Sequence, residues 1–333
     1  MANIMITKRC NLNCEYCFAN EFVNSGDSTD ILIDDFKRIL EFMLSDGTEK
    51  RIGLIGGEPT LHRRFGDILD ILLSEKRADR VILYTNGILA GEYADKLSDS
   101  KFHLLVNCND IRHKESLNRK FEHSLRILFE RLGDRVGLGV NFYKPDFDTG
   151  YILELLRKYP CKKLRVSISL PNSDNYDYNP LEYFAEVKPG LFDFFRKLRE
   201  IGTIPYLDCN ILPPCLVTVD EMLEFSKWGE SNPFVTVKTE HTGCMPVIDI
   251  LSDGTAVRCF GLSEYTKTNI KDFASISDLR KYYIRTVDAY AVNSVYDNRC
   301  KGCYKFKTAK CSGGCLIYKI DQILKKQAGD NLL

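Results

Sequence analysis

The segment Cys10-Asn-Leu-Asn-Cys14-Glu-Tyr-Cys17 places three cysteines within eight residues. Three thiolates on one tight loop can bind three irons of a cubane [4Fe–4S] cluster, in which each of the four irons normally takes one ligand. The fourth iron then stays open to another molecule, as the open coordination position does in a catalytic zinc site. The spacing therefore predicts a cluster with a chemical role.

The composition of the chain is that of an ordinary globular protein. Of its 333 residues 44 % are hydrophobic and 28 % are charged, and the formal net charge is zero. No stretch approaches the roughly 20 apolar residues of a membrane span, and the N-terminal residues lack the apolar region of a signal peptide. We expect a cytoplasmic protein with no nucleic-acid partner and no membrane partner.

Cysteine usage departs from this ordinary pattern, because the chain contains thirteen cysteines. In a reducing compartment, dense and regularly spaced cysteines favour metal binding over disulfides. A secreted domain held by disulfides would be smaller and would carry an export signal. The cysteines are therefore candidate metal ligands.

Around the first three cysteines, short apolar runs alternate with amphipathic stretches up to residue 170. We expect strands at Asn3–Thr7, Ile52–Ile55, Val81–Tyr84, His103–Val106, Gly137–Phe142 and Leu164–Leu170. We expect helices at Ile33–Leu44, Phe65–Ser74, Tyr93–Leu97, Lys120–Leu132 and Tyr151–Lys158. The alternation predicts an α/β fold with a parallel sheet, curved into a partial (β/α)6 TIM-like barrel. Reactive loops follow the C-terminal strand ends of such sheets, and the cysteines follow the first strand directly.

The pattern changes after residue 175, and three regions are expected: the partial barrel (1–175), bridging helices (176–243) and a small C-terminal iron–sulfur domain (244–333). A helix is predicted at Leu191–Ile201, and Thr218 to Glu221 has the form of a capping box. Val247–Leu251 and Ala256–Cys259 flank a turn and predict a hairpin.

The spacing Cys10-x3-Cys14-x2-Cys17, with the aromatic Tyr16 before the last cysteine, resembles the signature of radical S-adenosylmethionine enzymes. In that family the open iron is chelated by the methionine part of S-adenosylmethionine, and reductive cleavage gives a 5′-deoxyadenosyl radical that abstracts a hydrogen atom from substrate. The resemblance implies that these three cysteines hold the radical-generating [4Fe–4S] cluster. It also implies S-adenosyl-L-methionine as cofactor and a reductant such as flavodoxin or ferredoxin.

The run Gly56-Gly57-Glu58-Pro59 follows the second predicted strand and resembles the family's GGE motif, which binds the methionine amino group. Glycines permit close approach of the backbone, and a carboxylate can accept hydrogen bonds from an ammonium. The alternative is a strand-to-helix turn with an acidic residue at the positive end of the helix dipole.

Further cofactor contacts are implied by the resemblance at the ends of later strands, including contacts to the ribose and the adenine. The residues concerned are Tyr16, Thr85, Asn86, Asn107, Asn141 and Leu170. The alternative for each strand-end residue is turn chemistry or a strand cap.

The C-terminal cysteines form the pattern Cys244-x9-Gly254-x4-Cys259 and Cys300-x2-Cys303-x7-Cys311-x3-Cys315. This pattern resembles the SPASM extension of radical S-adenosylmethionine enzymes, which carries two auxiliary [4Fe–4S] clusters. The family usually has five residues between the middle cysteines, where this chain has seven, and usually ends with one more cysteine.

Two complete auxiliary clusters need eight ligands, and this extension supplies six. Two upstream cysteines, Cys209 and Cys215, bring the number to eight, although small buried apolar residues are the alternative role for both. By analogy with the family, one cluster takes Cys244, Cys259 and Cys315, and the other takes Cys300, Cys303 and Cys311. Which of them Cys209 or Cys215 completes stays open. An auxiliary cluster with one iron open to substrate and a zinc ribbon at 300–315 are further alternatives.

The cysteines Cys108 and Cys161 are left outside these sets, and we expect neither to be a ligand. The five histidines show no metal-binding spacing, although His62 and His241 lie near the motifs.

SPASM enzymes often act on peptides, so the resemblance implies crosslinking or oxidation of a ribosomal peptide or protein. The chain begins directly at its first predicted strand, and a separate leader-binding protein is therefore an expected partner. Two alternatives stay open: a radical enzyme that dehydrogenates a small molecule, and a non-catalytic electron-transfer or cluster-carrier protein. No catalytic acid or base is assigned.

Overall fold

The computed structural model describes residues 2–17, 19, 22–23, 29–159, 161–169, 179–208, 212–226, 247–292, 294–295, 297–320 and 323–324. The chain divides into two compact units. The first comprises Met1–Gly137 and Pro246–Arg285, and the second comprises Leu138–Met245 and Thr286–Leu333. The expected division at residues 175 and 243 stays a prediction.

The elements are numbered in chain order. The strands are β1 (Ala2–Met5), β2 (Arg51–Ile55), β3 (Arg80–Thr85), β4 (Phe102–Asn107), β5 (Val136–Phe142), β6 (Lys163–Ile168), β7 (Ile204–Leu207), β8 (Ile248–Ile250), β9 (Thr255–Val257) and β10 (Thr268–Asn269). The α-helices are α1 (Ile33–Leu44), α2 (Phe65–Ser74), α3 (Ala94–Leu97), α4 (Glu115–Leu132), α5 (Gly150–Lys158), α6 (Pro180–Glu200), α7 (Val219–Ser226), α8 (Ile276–Tyr283), α9 (Ala289–Ala291) and α10 (Tyr304–Lys307).

The first unit is built on a sheet in which β1, β2, β3 and β4 are adjacent and parallel. Ala2 lies opposite Ile52, and Arg51 lies opposite Arg80. The apolar residues of α1 recur at the expected three- and four-residue spacing, and Phe36 and Ile39 are fully buried. The predicted βα alternation is thus confirmed, and α1 and α2 have the predicted bounds.

The predicted hairpin is confirmed as β8 and β9, which pair antiparallel. Its turn contains Gly254, whose positive φ of 84° is a conformation that glycine adopts without strain. The hairpin also extends the sheet of the first unit, because β8 pairs parallel with β1, with Ala2 opposite Ile248. A hydrophobic pattern cannot reveal this pairing, since it joins strands that are far apart in the sequence.

The second unit contains β5 from Leu138 onward, together with β6 and β7, and these three strands are parallel. Its longest helix, α6, was predicted to begin at Leu191 but begins at Pro180. Asn179 caps it by accepting hydrogen bonds from Leu181 N and Glu182 N. The prediction was wrong because Pro189 reads as a helix breaker, whereas the buried face of this helix overrides the local penalty.

Two further helix predictions can be compared with the structure. The capping box before α7 is present: Glu221 N donates to Thr218 Oγ1 at 3.2 Å and Thr218 N donates to Glu221 Oε2 at 2.8 Å. The helix expected at Lys120–Leu132 begins earlier, at Glu115. Among the described residues, no helix has both the length and the apolar character needed to cross a membrane.

Candidate functional site

The first candidate site is the loop that follows β1 and carries Cys10, Cys14 and Cys17, all half-buried. Cys17 N donates to Cys14 O at 3.0 Å and closes a turn, while Leu12 N donates to Cys10 Sγ at 3.4 Å. Desolvation raises the pKa of all three thiols, that of Cys10 to about 11, and the neighbouring thiols raise the pKa of Cys10 and Cys14 further. With these raised pKa values, the three thiols ionise poorly by themselves. They fit an iron–sulfur cluster because its positively charged core stabilises thiolates.

The glycines of the Gly56-Gly57-Glu58 run pack directly against this loop. Gly57 N donates to Thr7 O at 3.0 Å and Glu58 N donates to Arg9 O at 2.8 Å. A Cβ on Gly57 would lie 2.4 Å from Arg9 O and 2.9 Å from Cys10 Cβ. Glycine is therefore needed here because the end of β2 approaches the cysteine loop too closely for a side chain.

The carboxylate of Glu58 is buried and links the ends of β2 and β3. Its Oε1 accepts hydrogen bonds from Thr60 N at 3.2 Å, Thr60 Oγ1 at 2.7 Å and Thr85 Oγ1 at 2.7 Å, and its Oε2 accepts from Asn86 N at 2.7 Å. Burial raises the pKa of Glu58, and these hydrogen bonds oppose the rise. Asn86 Nδ2 in turn donates to Asn11 Oδ1 at 2.7 Å, within the cysteine loop.

Oε1 of Glu58 accepts three of the four hydrogen bonds and Oε2 accepts one, so Oε2 keeps capacity for a further donor. These hydrogen bonds give Glu58 a positioning role, in which the strand ends are fixed around the loop. Its expected contact with the methionine ammonium stays a prediction.

The end of β4 reaches the cysteine loop through Asn109, which the sequence analysis missed. Tyr16 Oη and, at 3.4 Å, Cys14 Sγ both donate to Asn109 Oδ1. Asn107 Nδ2 donates to Tyr16 Oη at 3.5 Å, and Asn109 Nδ2 donates to Asn107 O at 3.0 Å. The one signal for Asn109 was its position directly after a strand end, which it shares with many polar turn residues.

Three predicted cofactor contacts have not yet been placed: Asn141, Pro59 and Leu170. Asn141 lies on β5 in the second unit, where its side-chain oxygen accepts from Arg165 Nη1 at 3.3 Å. Pro59 is buried at the start of a single 3₁₀ turn, Pro59–Leu61. Leu170 lies outside the described residues.

Among the histidines, His62 is buried and has partners at both ring nitrogens. Nε2 lies 3.0 Å from Ile31 O, and Nδ1 accepts from Arg64 N at 3.0 Å. Desolvation lowers the pKa of His62. These contacts give His62 a structural role, while His241 lies outside the described residues.

A second group of thiols, formed by Cys215, Cys300, Cys303 and Cys311, lies in the second unit. Desolvation raises the pKa of Cys215, and the nearby Cys311 and Cys303 raise it further. Desolvation likewise raises the pKa of Cys300 to about 11, with Asp297, Cys215, Cys311 and Cys303 adding to it. The thiols of Cys303 and Cys311 therefore lie close enough to Cys215 and Cys300 to raise the pKa of both.

Four predicted cluster ligands remain: Cys259, Cys315, Cys209 and Cys244. Cys259 follows β9 in the first unit and Cys315 lies in the second, both half-buried. Cys209 and Cys244 lie outside the described residues. Within the part of the chain that the structure describes, no three histidine, cysteine or acidic side chains converge as ligands of a single metal ion.

Residues 4–165 match the model of the Radical SAM superfamily. This part of the chain is therefore a radical SAM domain, and the superfamily implies S-adenosylmethionine and a [4Fe–4S] cluster. The chain is also similar to curated GTP 3′,8-cyclases: it is 33 % identical over 95 residues to that of Desulforamulus reducens and 24 % identical over 139 residues to that of Helicobacter pylori. These matches cover 28 % and 41 % of this chain, and 29 % and 43 % of the relatives.

Solved structures with the same fold cover most of the chain. SuiB of Streptococcus suis, in its complex with the precursor peptide SuiA, superimposes with a TM-score of 0.62 at 17 % identity, over 96 % of this chain and 72 % of that chain. The protein anSMEcpe, with bound AdoMet and the Cp18Cys peptide, gives a TM-score of 0.62 at 19 % identity, over 99 % and 97 %. These likenesses agree with the predicted α/β fold of a partial TIM-like barrel.

Proposed function

We propose that this protein is a radical S-adenosylmethionine enzyme that modifies a side chain of a peptide or protein. The observation that carries the proposal is a loop after β1 with three half-buried thiols, packed against strand ends that the buried Glu58 fixes. The match of residues 4–165 to the superfamily model supports it.

In this proposal Cys10, Cys14 and Cys17 hold the [4Fe–4S] cluster and leave one iron for the methionine part of S-adenosylmethionine. Once bound and reduced, the [4Fe–4S] cluster would supply the electron that cleaves the sulfonium of S-adenosylmethionine and so starts hydrogen abstraction from substrate. The protein's own contribution is position: glycines allow the end of β2 to reach the cluster loop, and Glu58 fixes that end relative to β3. Asn109 orients the loop from β4 by accepting a hydrogen bond from Tyr16 Oη.

The choice of a peptide or protein substrate has two supports. SuiB and anSMEcpe were both solved with peptides, and each shares its fold with nearly the whole of this chain. The C-terminal cysteine pattern also resembles the SPASM extension, whose enzymes often act on peptides. The partners we propose are a peptide or protein substrate, a flavodoxin- or ferredoxin-like reductant and a separate leader-binding protein.

A second candidate function is cyclisation of a nucleotide such as GTP. The observation that favours it is the name shared by the curated relatives, GTP 3′,8-cyclase. The matched stretches cover less than half of this chain, and a part shared between enzymes of different substrates explains them equally well.

The decisive experiment begins with anaerobic reconstitution, reduction by dithionite and measurement of 5′-deoxyadenosine formed from S-adenosylmethionine. A Cys10→Ala/Cys14→Ala/Cys17→Ala variant is the control. We expect cleavage in the parent and none in the control. Absence of cleavage in the parent would contradict the proposal and favour a cluster carrier.

The substrate class is then tested by adding either GTP or peptides encoded by short reading frames beside this gene. A mass change in a peptide, together with faster 5′-deoxyadenosine formation, is the expected result. Consumption of GTP without any change in the peptides would instead support the second candidate.

A further inference from the structure

We propose that Cys215 is the fourth ligand of an auxiliary [4Fe–4S] cluster whose other ligands are Cys300, Cys303 and Cys311. The assignment rests on the proposed function only in that it requires the C-terminal cysteines to bind iron–sulfur clusters. Analogy with the family supplies three of these ligands, Cys300, Cys303 and Cys311, and leaves the fourth open.

The backbone around Cys215 is tied to the segment that carries Cys303. Lys305, two residues after Cys303, donates from Nζ to Pro214 O at 2.7 Å, and Pro214 directly precedes Cys215. On the other side, Lys188 of α6 donates from Nζ to Leu216 O at 2.9 Å. The short 3₁₀ turn Pro214–Leu216 is thus held from both directions, although it lies far from residues 300–311 in the sequence.

The other cysteines lie on turns that suit cluster binding. Cys303 N donates to Cys300 O at 3.0 Å, and Asp297 accepts from Arg299 N at 2.7 Å to fix the start of the turn. Gly313 N donates to Cys311 Sγ at 3.4 Å. Amide donors of this kind stabilise thiolate sulfur and tune the potential of a bound cluster.

The exposure of Cys215 weighs against its alternative role as a small buried apolar residue. The contact of Lys305 with Pro214 O brings the backbone next to this exposed cysteine to the segment that carries Cys303. Four soft thiols fit the ligand set of a complete cubane. Since every iron then has a protein ligand, this cluster has no open position, and its role is to transfer electrons and not to bind substrate.

The test uses a Cys10→Ala/Cys14→Ala/Cys17→Ala background, which removes the radical-generating cluster. Cys215→Ala is compared in that background with Cys161→Ala, the matched control, since Cys161 is a half-buried cysteine of the same unit outside this group. Iron, sulfide and the EPR spectrum are measured after anaerobic reconstitution. We expect Cys215→Ala to lose roughly one to four irons per chain relative to Cys161→Ala, with a three-iron signal after oxidation.

A second variant, Cys215→Ser, guards against loss of folding. Serine keeps the size of cysteine and offers an oxygen ligand, so we expect retained iron with a shifted EPR signal. Iron and EPR spectra equal to those of Cys161→Ala in both Cys215 variants would overturn the proposal, as would a background protein that binds no iron. Cleavage of S-adenosylmethionine by the parent tests the proposed function separately, because this assignment is measured without it.

Discussion

The two cysteine regions differ in how their thiols are brought together. Cys10, Cys14 and Cys17 come from a single loop, against which the ends of three neighbouring strands pack. Cys215 reaches the 300–311 segment from elsewhere in the chain, through the contact between Lys305 and Pro214. The first region offers three thiols beside a buried polar network, and the second offers four. Under the two proposals above, the first region would hold an open cluster for chemistry and the second a closed cluster for electron transfer.

The largest effect is expected from Cys14→Ala compared with Cys303→Ala. Loss of Cys14 should reduce 5′-deoxyadenosine formation to background, because the open cluster loses one of its only three ligands. Loss of Cys303 should lower the iron content but leave measurable cleavage of S-adenosylmethionine without substrate. Equal loss of cleavage in both variants would remove the functional distinction between the regions.

Glu58→Ala tests the network that supports the first region. The variant leaves the buried donors of Thr60 and Thr85 and the half-buried donor of Asn86 without their acceptor, and each buried group costs about 1–3 kcal/mol. We therefore expect the free energy of unfolding to fall by about 3 kcal/mol or more, measured by denaturant titration of the metal-free protein. Glu264→Ala, which removes only an exposed pair with Lys267, is the control and should be nearly neutral.

A pair of glycine variants compares the packing of the two regions directly. Gly57→Ala should cost about 1–3 kcal/mol and reduce iron loading, since its Cβ would meet the backbone of Arg9. Gly302→Ala, between Cys300 and Cys303, should change stability by less than about 0.5 kcal/mol, because its Cβ would meet no atom within 4 Å. Equal changes in stability and iron loading in the two variants would contradict the close packing of Gly57 against the cysteine loop.

Tyr16→Phe removes a hydrogen bond of the positioning residue Asn109. One such bond contributes about 1 kcal/mol, which corresponds to a decrease of about fivefold in the rate of 5′-deoxyadenosine formation. We expect kcat to fall with little change in KM for S-adenosylmethionine, because the loop would be oriented less well. Tyr265→Phe, at a surface position of the same unit, should leave the rate unchanged, and a matching decrease there would refute the positioning role.

The smallest effect is a pH dependence beside the second region. Hydrogen bonds from Arg299 hold the pKa of Asp297 below its usual range, so this carboxylate stabilises the fold above about pH 4 and loses that contribution as the pH falls. Because Arg299 is largely exposed, we expect less than about 1 kcal/mol. Asp297→Asn should therefore be less stable at pH 7 in urea titrations, with the difference shrinking as the pH falls below about 4. A difference that grows on acidification would contradict this sign.

The sequence predicted the elements that local patterns determine. The βα alternation and the hairpin of β8 and β9 follow from apolar periodicity and turn chemistry, and both are present. The pairing of β8 with β1 and the full length of α6 were missed, because they depend on partners distant in sequence. The same limit applies to the site: spacing brings out Cys10, Cys14 and Cys17, whereas Asn109 becomes visible only when β4 is placed next to the loop.

The most direct test of an open and a closed cluster in one chain is EPR spectroscopy of the dithionite-reduced, reconstituted protein before and after addition of S-adenosylmethionine. The account predicts that the cofactor shifts the signal of one cluster, and that this shift disappears in the Cys10→Ala/Cys14→Ala/Cys17→Ala variant while the signals of other clusters stay unchanged. A spectrum that does not respond to the cofactor in the parent, or that still responds in the variant, would contradict it.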